Sequence, residues 1–313
     1  MRTLVTGAAG FAGRHLLARL SGTTEVFGWH RPDSEPSAVA GVRWRAVELQ
    51  DREAVRLALG ADRPDAIYHL AGIANVGDSW AHAEETMAGN VLGTAHLFEG
   101  LRELGLRPRV LITGSATIYK ASDAPLTEES ALAPNTPYGT SKLAQEMLAL
   151  AAWREHDLPA IVTRSFNHIG PGQSPAFAAA SFARQLATIE AGLAPPTINV
   201  GNLTAARDLT DVRDTVRAYE AVMTRGRPGV AYNVCSGRAV SMQAILDGLR
   251  ARIQLPVEVV TDPVRMRPVD TPVIVGSHER LTRDTGWTPE IGLDATLDAL
   301  IEYWRAEVAG TPG

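Results

Sequence analysis

The chain has 313 residues, 45% of them apolar, with 35 acidic and 30 basic side chains and a net charge of -5. That apolar content supports one large or two modest packed domains and excludes a disordered or disulfide-stapled chain. Arginines scattered among acids form no basic face for nucleic acid, no apolar run reaches the roughly 20 residues that cross a bilayer, and the lone Cys235 makes no internal disulfide.

With no secretory signal near its start, the protein is expected to be soluble and cytoplasmic, without nucleic-acid or membrane partners. In chain order, short apolar or β-branched runs alternate with longer helical patterns, the signature of an α/β fold with a parallel sheet. Strands are expected at residues 3–6, 25–29, 66–70, 110–113 and 160–164, and helices at 13–20, 52–59, 90–104 and 137–156. The last two helices carry apolar residues on more than one side, Leu143, Met147, Leu148 and Leu150 among them, so a homodimer is expected. Beyond Arg164 the stretch FNHIGPGQSP breaks the rhythm with glycine and proline. A helix at 178–191, a helical segment at 212–223, a short strand at 232–235 holding a buried Cys235, and further helices complete the pattern. The expected architecture is a doubly wound parallel sheet, residues 1–164 with about 208–236, carrying a smaller irregular α/β cap from about 165–207 and 237–313.

The first strand runs into TGAAGFAG and a helix, with Gly7, Gly10 and Gly13 in a G-x-x-G-x-x-G spacing. Glycines let the backbone turn tightly against a pyrophosphate, and the helix start offers free N–H groups to the anion, so a dinucleotide site is expected here. The second strand leads to His30 and Arg31 without an acid, and Arg14 follows Gly13. An NAD site presents an acid to the ribose 2′-hydroxyl whereas an NADP site places arginine there, so NADP(H) is expected ahead of NAD(H). Asp33, in a proline-rich turn, is the competing acid.

Only two of the 30 basic residues are lysine, Lys120 and Lys142. Lys142 lies four residues after Tyr138 at a helix start, a spacing that puts ammonium and phenol on one face. A cation beside a phenol favours the phenolate, and moving its pKa from about 10 to about 7 takes roughly 4 kcal/mol. Tyr138 is therefore expected to exchange a proton near neutral pH. Ser115 follows the fourth strand, whose carboxyl end faces the ligand crevice, and can hold a carbonyl or alcohol oxygen. H-E-x-x-H, C-x-x-C and G-x-S-x-G patterns are missing from the sequence, so neither a metal site nor a hydrolase is expected.

These motifs, with His69-Leu-Ala71, Asn90 and Gly93-Thr94 in the same order, resemble the extended short-chain dehydrogenases/reductases of nucleotide sugars over essentially the whole chain. RSFNHIGPGQSP, VGNLTAARDLTDVRD, YNVCSG, RMRPVD and TGWTP look most like the branch of GDP-mannose 4,6-dehydratases and GDP-4-keto-6-deoxymannose reductases, the reductase pattern being nearer. The resemblance implies a Rossmann-type fold and NADP(H)-dependent reduction of the C4 ketone of a GDP-4-keto-6-deoxyhexose to a GDP-6-deoxyhexose of the GDP-rhamnose type. In that scheme Tyr138 supplies the proton, Ser115 holds the oxygen and Lys142 binds the cofactor ribose. The resemblance also implies cofactor contacts from Phe11, Glu48, Leu49, Ala71, Asn90 and His168. On the nucleotide-sugar side it implies Ser79, Asn167, Asn202, Arg207 and Arg267, with Arg265 a neighbour. The alternative is a nucleotide-sugar 4-epimerase retaining NAD; a 4,6-dehydratase and a dinucleotide sensor without turnover are more distant. Thr117 stands where the dehydratases carry an acid, and a hydroxyl is a poor base for a carbon-bound proton. Lys120 stands where the family commonly has glycine.

Overall fold

The computed structural model describes residues 1–36, 39–74, 76–265 and 273–310. In the first half, strands β1 (Arg2–Thr6), β2 (Glu25–His30), β3 (Val42–Ala46), β4 (Ala66–His69), β5 (Arg109–Ser115) and β6 (Ala160–Ser165) are interleaved with helices α1 (Phe11–Leu20), α2 (Arg52–Asp62), α3 (Ala83–Met87), α4 (Gly93–Glu103) and α5 (Pro137–His156). The second half adds β7 (Asn167–Ile169), α6 (Ala178–Glu190), β8 (Thr197–Val200), β9 (Ala206–Asp211), α7 (Val212–Arg225) and β10 (Ala231–Val234). It closes with β11 (Ala239–Ser241), α8 (Met242–Arg250), β12 (Glu258–Thr261), β13 (Val273–Ile274), α9 (Glu279–Thr285) and α10 (Leu293–Ala309).

Among the described residues, seven strands pair in the order β10-β6-β5-β4-β1-β2-β3, each pair parallel. The order reverses between β1 and β4, where a doubly wound sheet opens a crevice beyond its carboxyl ends. β4 and β6 are buried at every position, which is why each opens on consecutive apolar residues, 66–68 and 160–162, rather than alternating ones. α1 and α7 pack on one face around Leu16, Leu17, Tyr219 and Val222, while α2, α4 and α5 cover the other around Leu59, Leu97, Leu101 and Ala149. A separate core around Phe182, Leu186, Ile198, Leu246 and Leu300 joins α6, α8 and α10 to the parallel pair β8 and β12. β9 pairs with β7, β11 and β13 beside it.

Around the central sheet, α4 and β3 differ from the sequence expectation. The helix expected from residue 90 starts as a π-helical turn, Ala88–Leu92, and becomes α-helical at Gly93. β3 lies at the sheet edge with half its face in solvent, so its alternation of Val42, Trp44 and arginines carries only a weak strand signal. Cys235 is buried with Tyr119, Leu126 and Phe166, as its apolar setting implied. Among the described residues no helix is long and apolar enough to cross a membrane.

Candidate active site

The crevice at the carboxyl ends of β1, β4, β5 and β6 holds a cavity of about 310 Å³. One wall is the glycine turn. Gly7 has a φ of +65°, and a Cβ there would lie 2.7 Å from the backbone nitrogen of Ala71. A Cβ on Gly13 would meet the Gly7 carbonyl at 2.4 Å, so only glycine lets α1 sit this close to the end of β1. α1 has no side-chain cap at Gly10 and no acid in its first turn, leaving its N–H groups and positive dipole end open to an anion. Gly7, Gly10, Phe11 and Gly13 all line the cavity, a fit to a dinucleotide pyrophosphate.

The opposite wall comes from β5 and α5. Thr136 caps α5, its Oγ1 accepting from the Gly139 N–H at 3.0 Å, and Pro137 fills the first helical position. That start fixes Tyr138 in the first turn and Lys142 one turn later, and both line the cavity with Ser115. Each is less than a tenth exposed. Ser115 Oγ accepts from the Thr117 N–H at 3.2 Å and from Thr117 Oγ1 at 3.0 Å. Lys142 Nζ donates to the Thr113 carbonyl at 3.0 Å and lies 5.9 Å from the Tyr138 ring centre.

The electrostatics correct one expectation. Burial raises the Tyr138 pKa above its ordinary value, opposed by the hydrogen bond with the Ser115 hydroxyl. Lys142 does not bring the phenol down; burial instead lowers the lysine itself to about 8. Desolvation penalises both charged forms, and the ammonium spends its hydrogen bond on a backbone carbonyl rather than on the phenol. Tyr138 is thus held as a protonated acid, not as a ready phenolate.

Around this centre the polar groups are closely tied. His69 is fully buried between Thr6 Oγ1 at 2.8 Å and Thr94 Oγ1 at 3.0 Å, and burial, with Lys142 adding, keeps it neutral with a pKa near 3. Asn90 braces the loop after β4 rather than lining the cavity: Oδ1 accepts from Ile73 N–H at 2.7 Å and Nδ2 donates to Ser141 Oγ at 2.9 Å. Ala71 donates its N–H to Thr6 Oγ1, and its neighbours Leu70 and Gly72 form the lining. His168 stacks on Phe11 with ring centres 5.7 Å apart, and burial lowers its pKa. It lines the cavity beside Asn167.

Other expected site residues are placed elsewhere. Arg14 Nη2 donates to the Gly172 carbonyl at 3.3 Å, so the guanidinium secures a turn rather than standing free for a phosphate. Arg31 pairs with Asp33 at 3.6 Å at the end of β2, both largely in solvent. Glu48 accepts from the Gln50 N–H, and the Leu49 carbonyl accepts from His96. Ser79 is buried, its hydroxyl donating to the Val76 carbonyl at 2.8 Å. In the second half of the chain, Asn202 Oδ1 accepts from Thr204, Arg207 donates to the Ala206 carbonyl, and Arg265 donates to Ser181 Oγ at 3.3 Å. Arg267 lies outside the described residues. Lys120 is exposed, and nothing in the structure explains it.

Ser165, Gln173 and Tyr219 line the cavity although no role for them was expected, the first two lying inside RSFNHIGPGQSP. Ser165 is the register partner of Ser115 across β5 and β6. Its Oγ lies 2.9 Å from Tyr219 Oη on α7, so a second serine–tyrosine pair reaches the cavity from the face opposite α5. Burial pushes Tyr219 up to about 12, the Ser165 bond opposing and the Tyr138 phenol adding. The signal that would have found the pair is the strand register, not local spacing.

The sequence model of a family described as GDP-mannose 4,6-dehydratase matches residues 4–300. The GDP-6-deoxy-D-mannose reductase of Pseudomonas aeruginosa is 36% identical over 315 residues, covering 98% of each chain. The solved structure of RMD from Pseudomonas aeruginosa complexed with NADPH matches with a TM-score of 0.87 at 33% identity, over 98% of this chain and 99% of that one. The UDP-glucose 4-epimerase of Thermus thermophilus in complex with NAD matches at 0.86 and 26% identity, over 97% of this chain and 99% of that one. With the family match running from β1 into α10, the chain belongs to the GDP-mannose 4,6-dehydratase family.

Proposed function

We propose that this protein reduces the C4 ketone of a GDP-linked 4-keto-6-deoxyhexose with NADP(H), giving a GDP-6-deoxyhexose of the GDP-rhamnose type. The observation that carries the reading is the cavity itself: Ser115, a protonated Tyr138 and a buried Lys142 face an uncapped, glycine-lined helix start. The relative named GDP-6-deoxy-D-mannose reductase and the NADPH complex of RMD support it.

The bound reduced nicotinamide supplies the hydride. Ser115 orients the ketone oxygen, and Tyr138 Oη gives that oxygen its proton, becoming a phenolate. Ser115, hydrogen-bonded to Tyr138, opposes the burial that disfavours this phenolate, and Lys142, held by the Thr113 carbonyl, would donate to the cofactor ribose. Thr117, a hydroxyl bound to Ser115, offers no base for removing a carbon-bound proton, which argues against dehydration. The same hydroxyl suits a 4-epimerase, the second reading. NADP(H) rests on Arg31 at the end of β2, where Asp33 competes for the guanidinium. We assign cofactor binding to residues 1–164 with 208–236 and the sugar nucleotide to the remaining cap, with Asn167, Asn202, Arg207 and Arg267 as its donors.

The test is incubation with NADPH and a panel of nucleotide 4-ketosugars, with mass spectrometry and NMR of the product. Consumption of NADPH with a GDP-6-deoxyhexose formed is expected. Co-purified stoichiometric NAD, with sugars interconverted in the absence of NADPH, would establish the epimerase instead. In the same assay Arg31→Ala is expected to raise the KM for NADPH at least 10-fold more than that for NADH; equal changes would remove the ground for NADP(H).

A further inference from the structure

Gln173 is 6% exposed and lines the cavity beside Phe11, His168 and Phe177. Its Nε2 donates to the His168 carbonyl at 2.9 Å, while its Oε1 is buried with no hydrogen-bond partner among the described residues. The amide cannot be turned over, because that would set one carbonyl oxygen against another at His168. The unmatched atom is therefore an acceptor.

The turn that carries it is held from both sides. Gln173 donates its own N–H to the Gly170 carbonyl at 3.2 Å. From the start of α1, Arg14 donates to the Gly172 carbonyl at 3.3 Å and His15 Nε2 to the Pro171 carbonyl at 2.8 Å. Gly170 and Gly172, at φ +155° and +83°, make the bend possible. The acceptor is thus fixed in place by the same helix whose N-terminus opens on the cavity.

A buried acceptor left unmatched costs about 1–3 kcal/mol, and folded proteins keep few of them. Phosphates bring only further acceptors and cannot match it. A ribose or sugar hydroxyl, or the N–H of a carboxamide, can. We propose that Gln173 is a ligand-binding residue whose Oε1 accepts a hydrogen bond from a hydroxyl or amide N–H of the molecule filling the cavity. This rests on reading the cavity as the meeting point of a dinucleotide and a sugar nucleotide.

Wild type, Gln173→Leu and Gln173→Glu are compared in two titrations: NADPH alone, followed by its fluorescence, and GDP-mannose in saturating NADP+, followed by calorimetry. The melting temperature of each free protein is measured alongside. Gln173→Leu is expected to weaken one of the two ligands by about 10- to 100-fold and to leave the other within about twofold. Loss of NADPH assigns the donor to the dinucleotide, and loss of GDP-mannose assigns it to the sugar nucleotide. Gln173→Glu, which keeps acceptor oxygens, should retain more of the affected affinity than Gln173→Leu. Binding of both ligands to Gln173→Leu within about twofold of wild type would overturn the proposal. Equal loss of both ligands in both variants, with a lowered melting temperature, would make Gln173 only a brace for His168 and overturn it too. A wild-type protein that binds neither ligand would instead sink the reading of the cavity.

Discussion

Lys142 keeps an ammonium group where its surroundings disfavour one. Burial lowers its pKa from the ordinary 10.5 to about 8. At pH 7 the lysine is protonated in both folded and unfolded chains, so the whole cost of burying the charge falls on the folded state. Between about pH 8 and 10.5 the unfolded chain still binds the proton and the folded one does not, so this group's contribution to stability rises with pH. Lys142→Met should therefore gain stability relative to wild type at pH 7, on the order of 1–3 kcal/mol, and lose that advantage as the pH approaches the unfolded value. Urea unfolding of the ligand-free proteins at pH 7, 9 and 10 measures it, and a difference flat across pH would contradict a charge buried against its preference. Tyr138→Phe should lower kcat by about 10²- to 10⁴-fold while NADPH affinity stays within a few fold; a near-normal rate would remove Tyr138 as the proton donor. That Ser115, Tyr138 and Lys142 share one cavity was legible in the sequence because they sit at a strand end and at a four-residue helical spacing. The direction of the Tyr138 shift was not, since desolvation depends on what packs over the ring. Ser165 and Tyr219 were not either, because 54 residues separate the two halves of one hydrogen bond.

At the scale of elements, α5 presents Tyr138, Lys142 and Glu146 one turn apart on a single face, and Glu146 is what fastens that face to the sheet. Arg164 on β6 donates to Glu146 through Nε at 3.0 Å and Nη2 at 2.6 Å, both side chains nearly fully buried. Its Nη1 also reaches Tyr119 Oη and the Glu128 carbonyl, each at 2.9 Å, and Tyr119 Oη donates a hydrogen bond to Asn233 Oδ1 on β10. One guanidinium thereby ties α5, β6 and the segment that follows Ser115. Removing one partner of such a pair strands a buried charge, so Glu146→Leu is expected to cost about 3–5 kcal/mol, and the double change with Arg164→Met to recover most of it. Chemical denaturation would decide: a single-variant loss below about 1 kcal/mol would mean that water already screens the pair. Arg164 was visible as the head of RSFNHIGP, yet its partner was not, because α5 shows no polar face that would single out Glu146. The central strands were legible for the converse reason, each carrying a buried apolar stretch, residues 66–68, 110–112 and 160–162. β7, β11 and β13 span only two or three residues each, too short to carry any period.

For the whole molecule, the outer side of α5 raises the question of assembly. Leu143, Met147 and Leu150 recur there at helical spacing, and Met147 is 62% exposed on a 20-residue helix whose inner side holds Tyr138 and Lys142. Leu92, at the entry to α4, is 43% exposed as well. We propose that these helices meet their copies in a homodimer, since a stripe of this kind loses roughly 25 cal/mol for each Å² left in water. Covering it would also fix α5 from outside, so that the helix bearing the proton donor is clamped between the sheet and the partner. Sedimentation equilibrium should then give twice the 33.5 kDa chain mass for wild type. Met147→Asp, which forces a carboxylate into the contact, should weaken the dimer by at least about 10-fold and lower kcat with it, because burying an unpaired charge is far costlier than losing a thioether. A Met147→Asp protein that stays dimeric would move the interface off α5, and one that becomes monomeric with unchanged kcat would show that the sheet alone holds Tyr138 in place.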